Sequence, residues 1–282
     1  MELRILRINQ SFSNGPADDS TGPHDSLKPL LDIVDESTKS DVVKYRFLGD
    51  ARRCLLGRLL VRFVLSERCQ LPFQSFSFEK TERDRPYAYH PSLLPNAFSF
   101  DYNTSHDSNL TVVGTLPRSG ADDRIGIDVM RIRNPWDGTT VDEFVEGIGE
   151  QLTAKERSII DSLADDSSKL GHSLALWTLK ESYVKATGEG LHCDLSRLNF
   201  ALDLTSQEEI IGQGAFDGSN LEGWSFDLIE LGEEDGQYYI AIARRGVEEG
   251  KGEVRRWTSK PDWVRFVKFE EVIARARNED DP

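Results

Sequence analysis

The stretch Trp177–Leu191, which reads WTLKESYVKATGEGL, decides the fold. Apolar residues at helical spacing over His172–Ala186 predict a helix that ends before Gly188. Glu181 and Lys185 lie four residues apart and therefore share one face of that helix. An exposed ion pair, worth about 0.3–0.5 kcal/mol, is the ordinary interpretation. The apolar flanks favour partial burial instead, where the pair would supply a metal-binding carboxylate beside a proton acceptor, and the spacing alone leaves both interpretations open.

A second carboxylate lies in an apolar strand pattern. Asp128 is the only charged residue inside the run Ile125–Met130, which reads IGIDVM. An ionised carboxylate in such a strand is costly unless a cation or hydrogen-bond donors meet it. Three interpretations stay open: an edge position that faces water, a partner for an arginine such as Arg131, or a metal ligand.

Two further segments contain groups that bind phosphate. Asn103–His106 (NTSH) follows a strand pattern that ends at Tyr102, and small polar residues with a histidine at a strand end donate hydrogen bonds to phosphates. An Asx-type turn with a surface histidine is the more ordinary prediction from four residues. Lys80–Pro86 (KTERDRP) is a mixed-charge loop, either simply solvated or able to clamp a phosphate with its arginines.

The composition is that of a globular protein, since 38% of the 282 residues are hydrophobic and 9% aromatic. The 34 basic and 49 acidic residues give a net charge of −15, which argues against a nucleic-acid partner. No apolar run is long enough to cross a bilayer, and the first residues have no signal-peptide core. Three scattered cysteines suit a reducing compartment, so we expect a cytoplasmic protein without a membrane partner.

The organisation along the chain predicts an α+β fold. A helix over residues 51–65 precedes strands to about 130, and a helix over 172–187 precedes strands to 243, which hints at two similar halves. Residues 11–27 are rich in Ser, Gly, Pro and Asp and predict a mobile segment. The predicted divisions are an N-terminal half over 1–120, a C-terminal half over 121–245 and an extension over 246–282.

Taken in order, five motifs resemble those of the 4′-phosphopantetheinyl transferases, and in particular the long, pseudodimeric Sfp type. They are Asp50–Arg52 at the start of a helix, Arg85–Pro86, Asn103–His106, Gly126–Asp128 and Trp177–Leu191. The last block matches the pattern W-[ST]-x-K-E-[SA]-x-x-K-x-x-G-x-G-L, which is highly specific. The likeness covers about residues 40–245.

The resemblance implies two similar α+β halves related by a pseudo-twofold, with the active site in the cleft between them, in a monomer. It implies an enzyme that moves the 4′-phosphopantetheine arm of coenzyme A to a serine of an acyl or peptidyl carrier protein and releases 3′,5′-ADP, with Mg²⁺ on the pyrophosphate. Carriers of fatty acid, polyketide, nonribosomal peptide and lysine biosynthesis all stay open. The alternatives are a non-catalytic module that binds coenzyme A or carrier proteins, and a different magnesium-dependent nucleotide phosphotransferase.

The resemblance also implies roles for single residues. Asp128 and Glu181 would bind the metal, and Lys185 would take part with Glu181 in activating the serine and would contact the cofactor. The identity of the base stays open between Glu181, Lys185 and water. The remaining cofactor contacts implied are Asn103, Thr104, Ser105 and His106 at the phosphates, Lys80, Arg83 and Arg85 at the nucleotide, and Lys39 or Lys44 at the 3′-phosphate.

Three positions depart from the family pattern. Thr104 stands where isoleucine or valine is usual, and Asp84-Arg85 stands where Gly-Lys usually precedes the loop proline. Met130 occupies the third position of the metal strand, where bacterial members often have glutamate and animal-type members have methionine. Because a thioether is too soft a ligand for magnesium, we expect water in its place.

Overall fold

The structure is a computed structural model that describes residues 1–8, 25–81, 85–90, 100–120, 122–246 and 250–277. Most of the segment 11–27, predicted to be mobile, lies outside the described residues; its end, Asp25–Leu27, forms a 3-10 turn. Within the described ranges, none of the helices combines the length and the apolar character that a bilayer-spanning segment needs.

Strands and helices occur in both parts of the chain, which confirms the predicted α+β class. The strands are β1 (Glu2–Arg7), β2 (Ser77–Lys80), β3 (Pro86–Tyr89), β4 (Phe100–Asp107), β5 (Leu110–Pro117), β6 (Arg124–Arg131), β7 (Leu198–Leu202), β8 (Ile210–Phe216), β9 (Ser219–Asn220), β10 (Trp224–Glu233), β11 (Gly236–Arg245), β12 (Glu253–Trp257) and β13 (Val264–Val267). The helices are α1 (Lys28–Leu31), α2 (Glu36–Val43), α3 (Leu48–Cys69), α4 (Val141–Gly147), α5 (Ala154–Ser162), α6 (Asp166–Thr187) and α7 (Phe269–Arg277).

The contacts divide the chain into two units. The first comprises Met1–Ser99, Thr104–Gly114 and the residues from Trp263 onward, and the second comprises Phe100–Asn103 and Thr115–Asp262. The division expected from the sequence, at residues 120 and 245, assigns 246–282 to neither half. The contacts instead group the end of the chain with its beginning.

The first unit is built on helix α3 and a four-stranded sheet of order β13-β1-β5-β4. The helix predicted over 51–65 is confirmed and is longer at both ends, and the apolar residues that predicted it are buried: Leu56, Leu59, Leu60, Phe63 and Val64. Strand β13 pairs in parallel with β1, with Leu3 opposite Val264. Arg275 of α7 donates from Nε to Ser66 Oγ of α3 at 2.9 Å, so the C-terminal segment completes this unit.

The second unit packs helix α6 on a sheet of order β6-β11-β10-β12-β8-β7, with β9 paired to β8. Strand β6 runs antiparallel to β11 and places Asp128 opposite Ala241. Strand β6 and helix α6 were both predicted and are confirmed. Helix α6 begins at Asp166, six residues before the predicted start, because Asp165 caps it by accepting from the N–H of Ser168. The sheet and the helix enclose an apolar core that includes the edge-to-face pair Phe200–Phe226.

One buried ion pair joins three elements of this unit. Lys180 of α6 lies 2.7 Å from Glu156 of α5, and the two side chains are 2% and 0% exposed. The Lys180 ammonium also donates to the carbonyl oxygens of Gln151 and Leu195. The other oxygen of Glu156 accepts from the N–H of Phe200 in strand β7. Burial of this pair is tolerated because nearly all of its hydrogen-bonding capacity is used.

We expect Lys180→Met to lower the melting temperature by roughly 10 °C, because it leaves the Glu156 carboxylate buried without its cation. Thermal denaturation followed by circular dichroism measures the change. Lys169→Met is the matched control on the same helix, since Lys169 pairs with Asp142 at the surface and such pairs contribute little. Equal melting temperatures for the two variants would show that the buried pair has no structural role.

Candidate active site

The two faces of strand β6 have different neighbours. Ile125 and Ile127 are fully buried on one face. Gly126 and Asp128 lie on the other, because successive side chains of a strand point to opposite sides. A Cβ atom at Gly126 would lie only 2.0 Å from the carbonyl oxygen of Ser182 in α6. This face of β6 therefore packs against helix α6, and Asp128 extends from the same face.

Glycine is required at position 126 by this close approach. The nearest atoms to an added Cβ are backbone atoms, the Ser182 oxygen and the Ala186 nitrogen at 2.3 Å, and a packed helix backbone has no free direction in which to move away. The absence of a side chain at Gly126 thus sets how near the helix comes to the strand that carries Asp128.

Asp128 meets Lys185 across this contact. The Lys185 Nζ atom donates to Asp128 Oδ1 at 2.6 Å, a charge-assisted hydrogen bond between strand and helix. The Asp128 side chain is 10% exposed and that of Lys185 is 31% exposed. The carboxylate of Asp128 is therefore held from the protein side, while the lysine side chain reaches toward solvent.

Glu181 lies one helical turn before Lys185 and is half-buried. Burial raises the pKa of the Glu181 carboxyl above its ordinary value, and the negative charge of Asp128 raises it further, while the positive charge of Lys185 lowers it. The carboxylate of Asp128 therefore shares one electrostatic site with Glu181 and Lys185, which lie more than fifty residues further along the sequence. The partial burial predicted for Glu181 and Lys185 agrees with this geometry.

The residues present fit a magnesium ion better than a closed structural metal site. Asp128 and Glu181 offer the hard carboxylate oxygens that magnesium prefers. In the part of the chain that the structure describes, no group of three or more His, Cys, Asp or Glu side chains is arranged to hold a metal. Magnesium tolerates this because it keeps several waters and often takes only one or two carboxylates. Met130, on the same face of β6, packs against the apolar core instead.

The segment Asn103–His106 lies inside a strand rather than after one. Strand β4 continues to Asp107, so the Asx-type turn predicted from these four residues is wrong. Asn103 and Ser105 are buried, whereas His106 is exposed, as expected for alternating faces. Thr104 Oγ1 donates to the carbonyl oxygen of Val112 at 3.0 Å on the neighbouring strand β5.

The other residues with an implied cofactor role belong to the first unit. Lys44 is exposed and its Nζ lies 2.9 Å from Asp41. Lys80 is exposed at the end of β2, and Arg85 precedes β3, where its N–H donates to Thr81 Oγ1 at 3.1 Å. Arg83 lies outside the described residues. The role of these residues at a nucleotide stays a prediction.

One polar residue beside the site was not singled out from the sequence. Asp101 is buried in β4 and accepts a hydrogen bond from the N–H of Ile125. The signal for it was present, because Asp101 stands in the apolar pattern Phe98–Tyr102 just as Asp128 stands in its own strand. A buried carboxylate in a strand requires a partner, and this argument applies equally to both positions.

Comparison with known proteins bears on the same residues. Residues 22–118 match the family model described as 4′-phosphopantetheinyl transferase, N-terminal. Residues 124–243, which include Asp128, Glu181 and Lys185, match the model of the 4′-phosphopantetheinyl transferase superfamily. The two matches follow each other along the chain and meet between strands β5 and β6.

Curated relatives from animals and a fungus match most of the chain. The 4′-phosphopantetheinyl transferase pptA of Paxillus involutus is 30% identical over 80% of this chain and 83% of its own length. An L-aminoadipate-semialdehyde dehydrogenase-phosphopantetheinyl transferase of Xenopus laevis is 30% identical over 74% of this chain and 68% of its own length. The protein of the same name from Rattus norvegicus is 28% identical over 86% of this chain and 78% of its own length.

We expect Gly126→Ala to destabilise the protein by about 1–3 kcal/mol or more, because the new methyl group overlaps the backbone of α6 and forces the helix away from Asp128. Urea denaturation measures the loss. Gly171→Ala, in the same helix, is the control, since its Cβ would meet only the Tyr239 hydroxyl at an ordinary 3.6 Å and alanine favours the helix. A Gly126→Ala protein as stable as Gly171→Ala would contradict the close packing.

We expect Glu181→Gln to stabilise the metal-free protein at neutral pH and to change little at pH 4. Since the pKa of Glu181 in the folded protein lies above its ordinary value of 4.5, the folded state binds the proton more tightly than the unfolded state. Its contribution to stability is therefore complete below the ordinary pKa and is lost as pH rises through the raised one. Glutamine does not ionise and avoids this loss.

Melting temperatures in EDTA at pH 4 and pH 7.5 test this expectation. The difference between Glu181→Gln and the parent protein grows in favour of the variant as pH rises. Glu253→Gln on strand β12, where the side chain is exposed, serves as the control for the loss of one carboxylate. A Glu181→Gln curve parallel to that of the parent would refute the raised pKa.

Proposed function

The chain belongs to the 4′-phosphopantetheinyl transferase family, and we propose that it transfers the 4′-phosphopantetheine arm of coenzyme A to a serine of acyl or peptidyl carrier proteins. The product 3′,5′-ADP leaves, so the activity is that of a holo-[acyl-carrier-protein] synthase. The observation that supports this most directly is the contact of Asp128 with Lys185 beside Glu181, inside the matched superfamily region.

The reaction exchanges one phosphorus–oxygen bond for another. The serine Oγ forms a bond to the β-phosphorus of coenzyme A while the bond from that phosphorus to the ADP oxygen breaks, and the hydroxyl proton passes to a base. Such a transfer depends on positioning and on neutralising charge more than on covalent help from the protein. The site on β6 and α6 offers carboxylates that can bind a metal ion and an ammonium group that can neutralise negative charge.

Asp128 and Glu181 are the residues that would hold magnesium. When bound, magnesium would neutralise the negative charge that builds up on the departing 3′,5′-ADP. Lys185 adds a positive charge to the same place, and its hydrogen bond to Asp128 fixes the direction of the ammonium group. The anionic pyrophosphate of coenzyme A is the kind of substrate that such a set attracts.

Glu181 is the residue better suited to receive the serine proton. The Lys185 ammonium donates a hydrogen bond to Asp128, and an ammonium group has no lone pair with which to accept a proton. In the metal-free site, burial and the charge of Asp128 raise the pKa of Glu181, which makes its carboxylate a stronger base than an ordinary glutamate. Accepting the proton, directly or through a water, also relieves the repulsion between the two carboxylates.

The remaining assignments form part of the same proposal. His106, Ser105, Thr104 and Asn103 are offered as phosphate contacts, and Lys44, Lys80, Arg83 and Arg85 as nucleotide contacts. We propose a monomer, since one chain carries both matched family regions. The relatives named for L-aminoadipate-semialdehyde dehydrogenase make a carrier domain of lysine metabolism one of the substrates worth testing.

We expect the purified protein, with coenzyme A and Mg²⁺, to add the mass of one phosphopantetheine group to apo carrier domains, as read by intact mass spectrometry. The panel contains fatty acid, polyketide, peptide synthetase and aminoadipate reductase carriers. Asp128→Ala and Glu181→Ala each lower the rate by about 100-fold or more, because each removes a charge that the transfer needs.

Asp137→Ala is the control for these variants, since Asp137 is exposed and lies outside the site. Transfer by both site variants at the parent rate would contradict the site. Coenzyme A binding without transfer to any carrier in the panel would favour the alternative, a non-catalytic binding module. Release of a nucleotide other than 3′,5′-ADP would indicate a different phosphotransferase.

A further inference from the structure

Strand β6, which carries Asp128, is the last strand at one end of its sheet. It pairs with β11 along one edge, where Asp128 lies opposite Ala241. The N–H groups of Ile125 and Ile127 point to the other edge, because backbone groups alternate in direction along a strand. Both residues are completely buried, and a buried N–H without a partner costs free energy. The N–H groups on the edge away from β11 therefore need acceptors from outside this sheet.

Side chains of strand β4 supply these acceptors. Asp101 Oδ2 accepts from the N–H of Ile125 at 2.9 Å, and Asn103 Oδ1 accepts from the N–H of Ile127 at 2.9 Å. Asp101 and Asn103 are two residues apart and so extend from the same face of β4. Both are buried, at 6% and 7% exposure. Two side chains thus take the place that a neighbouring strand's carbonyl groups would occupy.

Asp101 is itself held in position. Its second oxygen, Oδ1, accepts from Arg118 Nη2 of the loop after β5 at 3.0 Å. The carboxylate therefore divides its oxygens between the backbone of β6 and a guanidinium group. Asn103 is neutral and needs no counter-charge, which suits the position next to the ionised site. Both oxygens of Asp101 are thus engaged by hydrogen bonds.

We propose that Asn103 and Asp101 are positioning residues that hold Asp128 at the distance and angle its work requires. Ile127 is the residue immediately before Asp128, so the hydrogen bond from its N–H fixes the peptide from which the carboxylate extends. The Asp128–Lys185 contact of 2.6 Å leaves little tolerance for a shift of the strand. The role of Asp128 in this inference rests on the proposed function; the hydrogen bonds to β6 do not.

Outer residues that orient a metal ligand are known to change metal affinity or activity by about 10–100-fold when they are lost. Asn103 acts here through the main chain rather than by contacting the carboxylate. Its effect is therefore separable from that of a phosphate contact: loss of the acceptor loosens β6 in the free protein, whereas loss of a phosphate contact leaves β6 unchanged until coenzyme A binds.

Amide hydrogen exchange of the metal-free protein tests the inference first. In Asn103→Leu, which keeps the size of the side chain and removes the acceptor, we expect the amides of the 124–131 strand to exchange about tenfold faster or more. Asn103→Asp restores an oxygen acceptor and returns the exchange toward that of the parent. Thr115→Val is the matched control, since it replaces a buried polar group on the adjacent strand β5 whose hydroxyl has no hydrogen-bond partner.

Magnesium dependence tests the link to Asp128. The Mg²⁺ concentration for half-maximal transfer rises about 10–100-fold in Asn103→Leu and stays at the parent value in Thr115→Val. If Asn103→Leu does not fold, Asn103→Ser replaces it, because serine is polar but too short to reach the N–H of Ile127. Unchanged exchange in the 124–131 strand, or exchange that rises equally across all strands, overturns the inference. Unchanged amide exchange in Asn103→Leu overturns the positioning role whether or not the protein is active. If the parent protein transfers to no carrier, only the proposed function is overturned.

Discussion

The close approach of helix α6 to strand β6 at Gly126 is the constraint on which the second unit depends. Because glycine has no side chain, the helix backbone comes nearer to the strand than any other residue would allow. That distance brings the Lys185 ammonium within hydrogen-bonding reach of Asp128. It also buries Glu181 and places it near Asp128, so that burial first and repulsion between the carboxylates second raise the pKa of Glu181. The contacts among Asp128, Glu181 and Lys185 therefore depend on how closely α6 packs against β6.

Two adjacent residues of helix α6 show how burial separates structure from function. Lys180 and Glu181 are neighbours in sequence, but side chains at successive positions of a helix point in directions about 100° apart. Lys180 turns toward α5, where Glu156 and two carbonyl oxygens complete its hydrogen bonds. Glu181 turns toward β6 and meets a like charge. The Lys180–Glu156 pair, whose hydrogen bonds are complete, stabilises the fold. The carboxylates of Glu181 and Asp128 repel each other and can bind a cation or a proton.

Local sequence patterns predict the helix and the strand of the site. They do not predict contacts between residues that are far apart in the sequence. Helical spacing predicted α6, and an apolar run predicted β6 together with its exceptional aspartate. The sequence does not indicate how far β4 extends, because the polar run Asn103–His106 resembles a loop and the partner that satisfies buried Asn103 lies 24 residues further along the chain. The pairing of β13 with β1 joins the two ends of the chain, and no local signal indicates such a register. Gly126 lies in the motif Gly126–Asp128, yet only the packing of α6 explains why glycine is needed there.

An edge strand is a demanding place for a reactive carboxylate. Among the described strands, only β11 pairs with β6 in its sheet, and the edge of a sheet attracts both water and other strands. Acceptors on the side chains of Asp101 and Asn103 satisfy the backbone at two points and add no further strand beside β6. The carboxylate of Asp128 is thereby held by the main chain on one side and by Lys185 on the other. A charge that is fixed in this way stabilises a transition state without reorganising.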